Sequence, residues 1–137
     1  MSCKAEIVKN WTTKAGLPAL IVLGTLGTHC GYVGVPKQHK AYGKDYSDEL
    51  LDDVQAHGGL TYAGKPPLIK DSEFWAIGYD CGHLGDLVPT TQKMFPDHFT
   101  SDVWRDEAFC VEECEDLAHQ LAALDLPLAL PAPNTTF

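Results

Sequence analysis

Apolar positions along the chain fall into short runs cut by glycine, proline and charge, until the C-terminal third, where their spacing becomes that of a helix. Leu17 to Leu23 (LPALIVL) is rich in branched residues, Gly24 to Gly27 (GTLG) breaks it, and His29 to Val35 (HCGYVGV) follows, a pattern that predicts a β-hairpin. Pro36 ends the second strand because it cannot donate a ladder hydrogen bond. Lys37 to Asp45 reads as a loop. Ser47-Asp48-Glu49 opens a short helix near 47–55, with acidic residues at the positive end of its dipole and Leu50, Leu51 and Val54 on its buried side. Gly58 stands where a C-terminal cap belongs. Gly59 to Ala63 (GLTYA) and Phe74 to Tyr79 predict two further strands.

From Leu84 to Thr100 no period survives, and a loop of that length is usually functional or mobile. Ser101-Asp102 then opens a helix to about Leu124. Trp104, Ala108, Val111, Cys114, Ala118 and Leu121 form one apolar stripe, with Asp106, Glu112, Glu113 and Asp116 largely outside it. The expected fold is α+β: a mostly antiparallel sheet of four strands or slightly more, the long C-terminal helix on one face, and the short helix near 47–55.

Composition adds limits to this picture. With 137 residues, 45% of them apolar, the chain can bury one core, so a single domain over 1–137 is expected, frayed at 1–10 and 131–137. The net charge is −9, from 10 Lys plus Arg against 19 Asp plus Glu, and no basic stripe forms. Phosphate-backbone binding draws its affinity from Lys and Arg, which argues against nucleic acid as a partner. The longest apolar stretch, Leu17 to Leu26, falls short of the roughly 20 residues of a membrane span, so no membrane partner is expected. Cys3, Cys30, Cys81, Cys110 and Cys114 show no C-x-x-C pair, and MSCKAEIVKN lacks the regions of a signal peptide. Free thiols in a cytoplasmic protein are the expectation.

Three places join glycine to reactive residue types at predicted strand ends: His29-Cys30-Gly31-Tyr32, His57-Gly58-Gly59, and Asp80-Cys81-Gly82-His83 with Asp86. Side chains at strand ends can converge on one cavity, and glycine lets a ligand reach backbone N–H groups. Each place also has a plain reading: a surface histidine beside a core cysteine, a histidine at a helix terminus, an aspartate holding backbone donors. Tyr32, Tyr62, Trp75 and Tyr79 could stack on a flat ring, although aromatic residues in strands more often pack a core.

Cys81-x-His83 with His57 and Asp86 offers metal-ligand types, as do Asp80, His83 and Asp86 for a harder ion. Structural zinc normally shows two close pairs, and no metal or cofactor is assigned. A Cys81 nucleophile would need His57 or His83 as base and Asp80 or Asp86 to orient it, but no nucleophile motif surrounds it. P-loop, G-x-G-x-x-G, G-x-S-x-G and H-E-x-x-H patterns are absent from the sequence. Cys110 and Cys114, four apart on the long helix, read as reduced packing residues, because a disulfide within a regular helix is awkward.

CGYVGV, HGGLTYAG and FWAIGYDCGHLGDLVP, in this order and followed by a long acidic helix, resemble a group of small proteins of phages and related bacterial elements. The resemblance covers most of Trp11 to Leu124 and brings no assigned catalytic residues. It implies an anti-defence role in the host cytoplasm, acting on a nucleotide-derived immune signal such as a cyclic ADP-ribose variant or a cyclic dinucleotide. The leading expectation is a binder that sequesters such a ligand without chemistry, through His57, Gly58, Gly59, Asp80, Cys81, His83, Asp86, Tyr32 and Tyr62. The alternatives are a hydrolase or phosphodiesterase using His57 and His83 with Asp80 or Asp86, and a protein-binding inhibitor. Small phage binders often complete pockets between chains, so a homo-oligomer stays open.

Overall fold

Two tight turns set the register of the first three strands. Thr13 N–H and Oγ1 both donate to the Leu17 carbonyl (2.9 and 2.7 Å), with Gly16 at φ 90°. Gly24 N–H donates to the Thr28 carbonyl (2.8 Å), with Gly27 at φ 84°. Both glycines hold the left-handed conformation that side chains resist. The strands they join are β1 (Glu6–Thr12), β2 (Pro18–Leu23) and β3 (His29–Val35). This computed structural model describes residues 5–25, 27–81, 105–125 and 137.

Beyond β3 the chain makes a second edge, β4 (Tyr62–Gly64), and returns as β5 (Trp75–Asp80) between β3 and β4. The sheet order is β1-β2-β3-β5-β4, and every neighbouring pair is antiparallel. A 17-residue helix, α1 (Glu107–Ala123), packs on one face, giving the α+β architecture the pattern predicts. Asp106 caps it by accepting the Phe109 N–H (2.8 Å).

Four details differ from the expectation. Residues 6–10, expected to fray, belong to β1, whose register shifts between Ile7 and Lys9; that bulge breaks the alternation by which a strand is recognised. The helix near 47–55 is a single 3₁₀ turn, Glu49–Leu51, although Asp48 does cap it. Asp52 and Asp53 follow where a helix would carry its negative end, which disfavours extension. β4 starts at Tyr62 because Gly58 (φ 69°) and Gly59 (φ 91°) form a turn. The long helix begins at Glu107, not at Ser101-Asp102, a dipeptide that with Trp104 lies outside the described residues.

The helix buries Cys110, Cys114, Leu117, Ala118 and Leu121, while Ala108, assigned to the stripe from spacing, is exposed. Against it lie Ala19 and Ile21 of β2, Val33 and Val35 of β3, and Ile77 and Tyr79 of β5. Alternation sends Leu20, Val22, Cys30, Tyr32, Ala76 and Asp80 to the other face. Leu20 and Ala76 there are fully buried as well.

The loop after β3 clasps the helix C-terminus. Buried His39 accepts the Ala41 N–H at Nδ1 (2.9 Å), which places its proton on Nε2, and Nε2–H donates to the Leu121 carbonyl (2.7 Å). Lys40 adds a backbone N–H bond to Asp125 (2.9 Å). His39→Ala would leave a buried carbonyl and a buried N–H without these partners, and a loss of about 2 kcal/mol is expected. Urea unfolding checks this; an unchanged midpoint would remove His39 from the clasp.

Candidate functional site

The sequence contains two Gly-Tyr dipeptides, Gly31-Tyr32 and Gly78-Tyr79, and antiparallel pairing of β3 with β5 sets each tyrosine opposite the other strand's glycine. Gly31 pairs with Tyr79, and Tyr32 pairs with Gly78. A Cβ built on Gly31 would lie 2.5 Å from the Tyr79 hydroxyl oxygen, and one on Gly78 would lie 2.5 Å from Tyr32 Cδ1 and from the Gly31 carbonyl oxygen. These glycines are seats for rings. Since Tyr32 and Tyr79 occupy alternate positions, one ring covers each face of the sheet.

On the face away from the helix, Tyr32 meets Tyr62 of β4 edge-on, with ring centroids 5.2 Å apart at 85°. Tyr62 is also paired across Gly78, so the two rings flank that glycine from both neighbouring strands. The next cross-strand pair on this face is Cys30 with Asp80. Burial pushes the Cys30 thiol up to about 11 against a hydrogen bond to Tyr32, with nearby Asp80 adding to the rise. Burial likewise drives the Tyr32 phenol above its usual range. Tyr62 Oη–H donates to the Lys65 carbonyl, turning the hydroxyl back on its own strand.

The helix face carries a layer of thiols. Cys81 Sγ lies 3.7 Å from Cys110 Sγ, while the Tyr79 hydroxyl donates to the Cys110 carbonyl (3.1 Å) and lies 3.8 Å from Cys114 Sγ. All four side chains are buried, and none of the three cysteines is in a disulfide. Burial pushes Cys114 up to about 12, and burial with the neighbouring thiols raises Tyr79 well above the phenol range. Cys110 moves the other way, held below its usual value chiefly by the hydrogen bond with Cys81.

His57 lies on the helix side too. Its ring meets Phe109 edge-on at 5.1 Å, and with Gln55, Ala56, Glu113 and Asp116 it lines a notch of about 220 Å³. Gln120 fixes that segment: its side-chain oxygen accepts the Gln55 N–H and its nitrogen donates to the Gln55 carbonyl, both at 2.7 Å. Gly59, expected to offer its N–H to a ligand, donates it to the Ala56 carbonyl (2.8 Å).

The structure therefore brings Tyr32, Tyr62 and Asp80 to one face, and Cys81 with His57, Gly58 and Gly59 to the region of the helix. His83 and Asp86, with Gly82, lie outside the described residues. Among the described residues no group of three or more His, Cys, Asp or Glu is arranged to hold a metal ion. Sequence reasoning missed the approach of Cys81 to Cys110 and the clasp at His39, because both depend on contacts between distant segments. Compared with protein-family models, curated proteins and solved structures, the chain shows no match.

Proposed function

We propose that the protein binds a small, flat, polar ligand on the sheet face away from the helix and holds it without chemistry. The observation that carries this reading is the Tyr32–Tyr62 pair, two half-buried rings at 5.2 Å across Gly78, with Asp80 at the next position along β5. Aromatic faces take up a base or similar ring, and a carboxylate accepts from its N–H edge. A nucleotide-derived immune signal, the ligand class implied by the phage resemblance, has such a ring, and sequestering it would be an anti-defence act in the host cytoplasm. Among the described residues no helix is long and apolar enough to cross a membrane.

The environment of His57 also bears on the choice. Glu113 and Asp116 share its notch, so a phosphate there would face two carboxylates, and the sheet separates His57 from the Asp80 face. A hydrolase built on a His57–Asp80 pair gains no support from that arrangement. The elevated Cys30 thiol is a poor nucleophile at neutral pH for the same reason that it is a good packing group.

Incubation of the full chain with cyclic ADP-ribose variants and cyclic dinucleotides, followed by heat denaturation, tests the proposal. Unaltered ligand should be recovered, and a cleaved one would overturn sequestration. Tyr62→Ala should weaken binding about 10-fold, the loss of one stacking partner, in isothermal titration. Equal affinity in that variant would take the ligand off this face.

A further inference from the structure

We infer that Cys81 and Cys110 form an oxidant-sensitive dithiol, a modification site at which a peroxide joins the C-terminal end of β5 to the first turns of α1. The inference does not depend on the ligand reading. Its basis is the 3.7 Å approach of the two sulfurs from segments far apart in sequence, with no other thiol among the described residues equally placed. Cys114 is four residues along the same regular helix, where a disulfide to Cys110 is awkward, and its sulfur lies against the Tyr79 hydroxyl. Cys30 points to the opposite face.

The backbone holds both partners in position. Cys81 N–H donates to the His29 carbonyl (3.1 Å), tying the end of β5 to β3, and Cys110 N–H donates to the capping residue Asp106 (3.2 Å). Cys110 thus sits in the first turns of the helix, where the dipole and the donor thiol of Cys81 both favour thiolate. The direction of its shift, below the ordinary thiol value, agrees with this geometry.

The chemistry needs one peroxide per pair. The Cys110 thiolate attacks a peroxide oxygen, an S–O bond forms as the O–O bond breaks, and hydroxide leaves to take up the proton that Cys110 released. The Cys81 thiol then attacks Cys110 Sγ, an S–S bond forms as the S–O bond breaks, and the second oxygen departs as water with the Cys81 proton. Two thiols are oxidised by two electrons, and one peroxide is reduced to two waters. Because Cys81 is 1% and Cys110 0% exposed, a small neutral oxidant should react in preference to a bulky aromatic disulfide.

Treating the reduced full chain with hydrogen peroxide should lower its mass by two hydrogens and its free thiols from five to three. Peptide mapping should recover a Cys81–Cys110 cross-link. Cys114→Ser should still form it, whereas Cys81→Ser should convert Cys110 to its oxyacids instead. The cross-link should raise the unfolding temperature of the wild-type chain by roughly 5 °C or more, reversibly with dithiothreitol. Recovery of a different cysteine pair, or oxyacids at Cys110 in the wild-type chain without the cross-link, would overturn the proposal. Since mapping is done on the wild-type chain, the test holds even where a serine variant fails to fold.

Discussion

Gly78→Ala should cost about 3 kcal/mol of stability, enough to remove a large part of what a domain of this size has. The added methyl would lie 2.5 Å from the Gly31 carbonyl oxygen and 2.5 Å from Tyr32 Cδ1. The first of these atoms is backbone in a central strand and cannot turn aside. The three atoms nearest an alanine methyl at Gly31 all belong to the Tyr79 side chain, its hydroxyl at 2.5 Å and its ring at 2.6 Å, so Gly31→Ala should cost less, about 2 kcal/mol. The two glycines therefore respond differently to relief. Tyr79→Leu should recover part of the Gly31→Ala loss, giving a coupling of about 1 kcal/mol in a double-mutant cycle. Tyr32→Leu should leave most of the Gly78→Ala loss in place. Urea unfolding of the six variants measures both cycles, and equal rescue at the two sites would show that the Gly31 carbonyl does not set the limit.

These pairs show what was open to sequence reasoning and what was not. The central hairpin, β5 and the helix could be anticipated because each carries its own signal: a branched run bounded by glycine and proline, or apolar residues at helical spacing. β1 gave no such signal, because a bulge disturbs its alternation and its edge position leaves Glu6, Ile7 and Asn10 exposed. The segment near 47–55 held a correct cap at Asp48 and apolar residues at the right spacing. Two aspartates at the wrong end of the dipole and a diglycine turn left it a single turn.

Glycine beside histidine, cysteine and aspartate at strand ends points to a ligand-facing role for Gly31, Gly58, Gly59 and Gly82. Strand pairing assigns Gly31 and Gly78 to ring packing, and the Gly59 N–H to a turn. Tyr32, Tyr62 and Asp80 did come together, since alternation alone places Tyr32 and Asp80 on one face once β3 and β5 are paired. Cys81 and Asp80 separated by the same rule, being neighbours in the chain and so on opposite sides. Adjacent residues in a strand end can share a motif without sharing a cavity.

The thiol layer gives the chain a sensitivity to alkali that the sequence alone does not announce. Burial raises the Cys114 thiol from 9.0 to about 12, so between these values the unfolded chain releases a proton that the folded chain keeps. Stability from this group is fully present below pH 9 and is lost as pH rises toward 12, at about 1.4 kcal/mol per pH unit. Tyr79, raised from 10.0 by burial and by Cys114 and Cys110 beside it, adds a second loss of the same sign above pH 10. Cys110 opposes them, because its lowered value favours the folded state once the unfolded thiol would still hold its proton. That gain belongs to the range below pH 9 and is complete there, so the slope above pH 9 is downward. Under reductant, urea unfolding should show stability falling steeply from pH 9, with the slope increasing above pH 10. Cys30, raised to about 11 by burial, adds a loss of the same sign from pH 9, so Cys114→Val, which removes one of the two thiols, should lessen the slope between pH 9 and 10 without abolishing it. A wild-type profile level to pH 11 would mean that the folded chain admits charge to this layer, and the packing argument for Tyr79 over Gly31 would lose its footing with it.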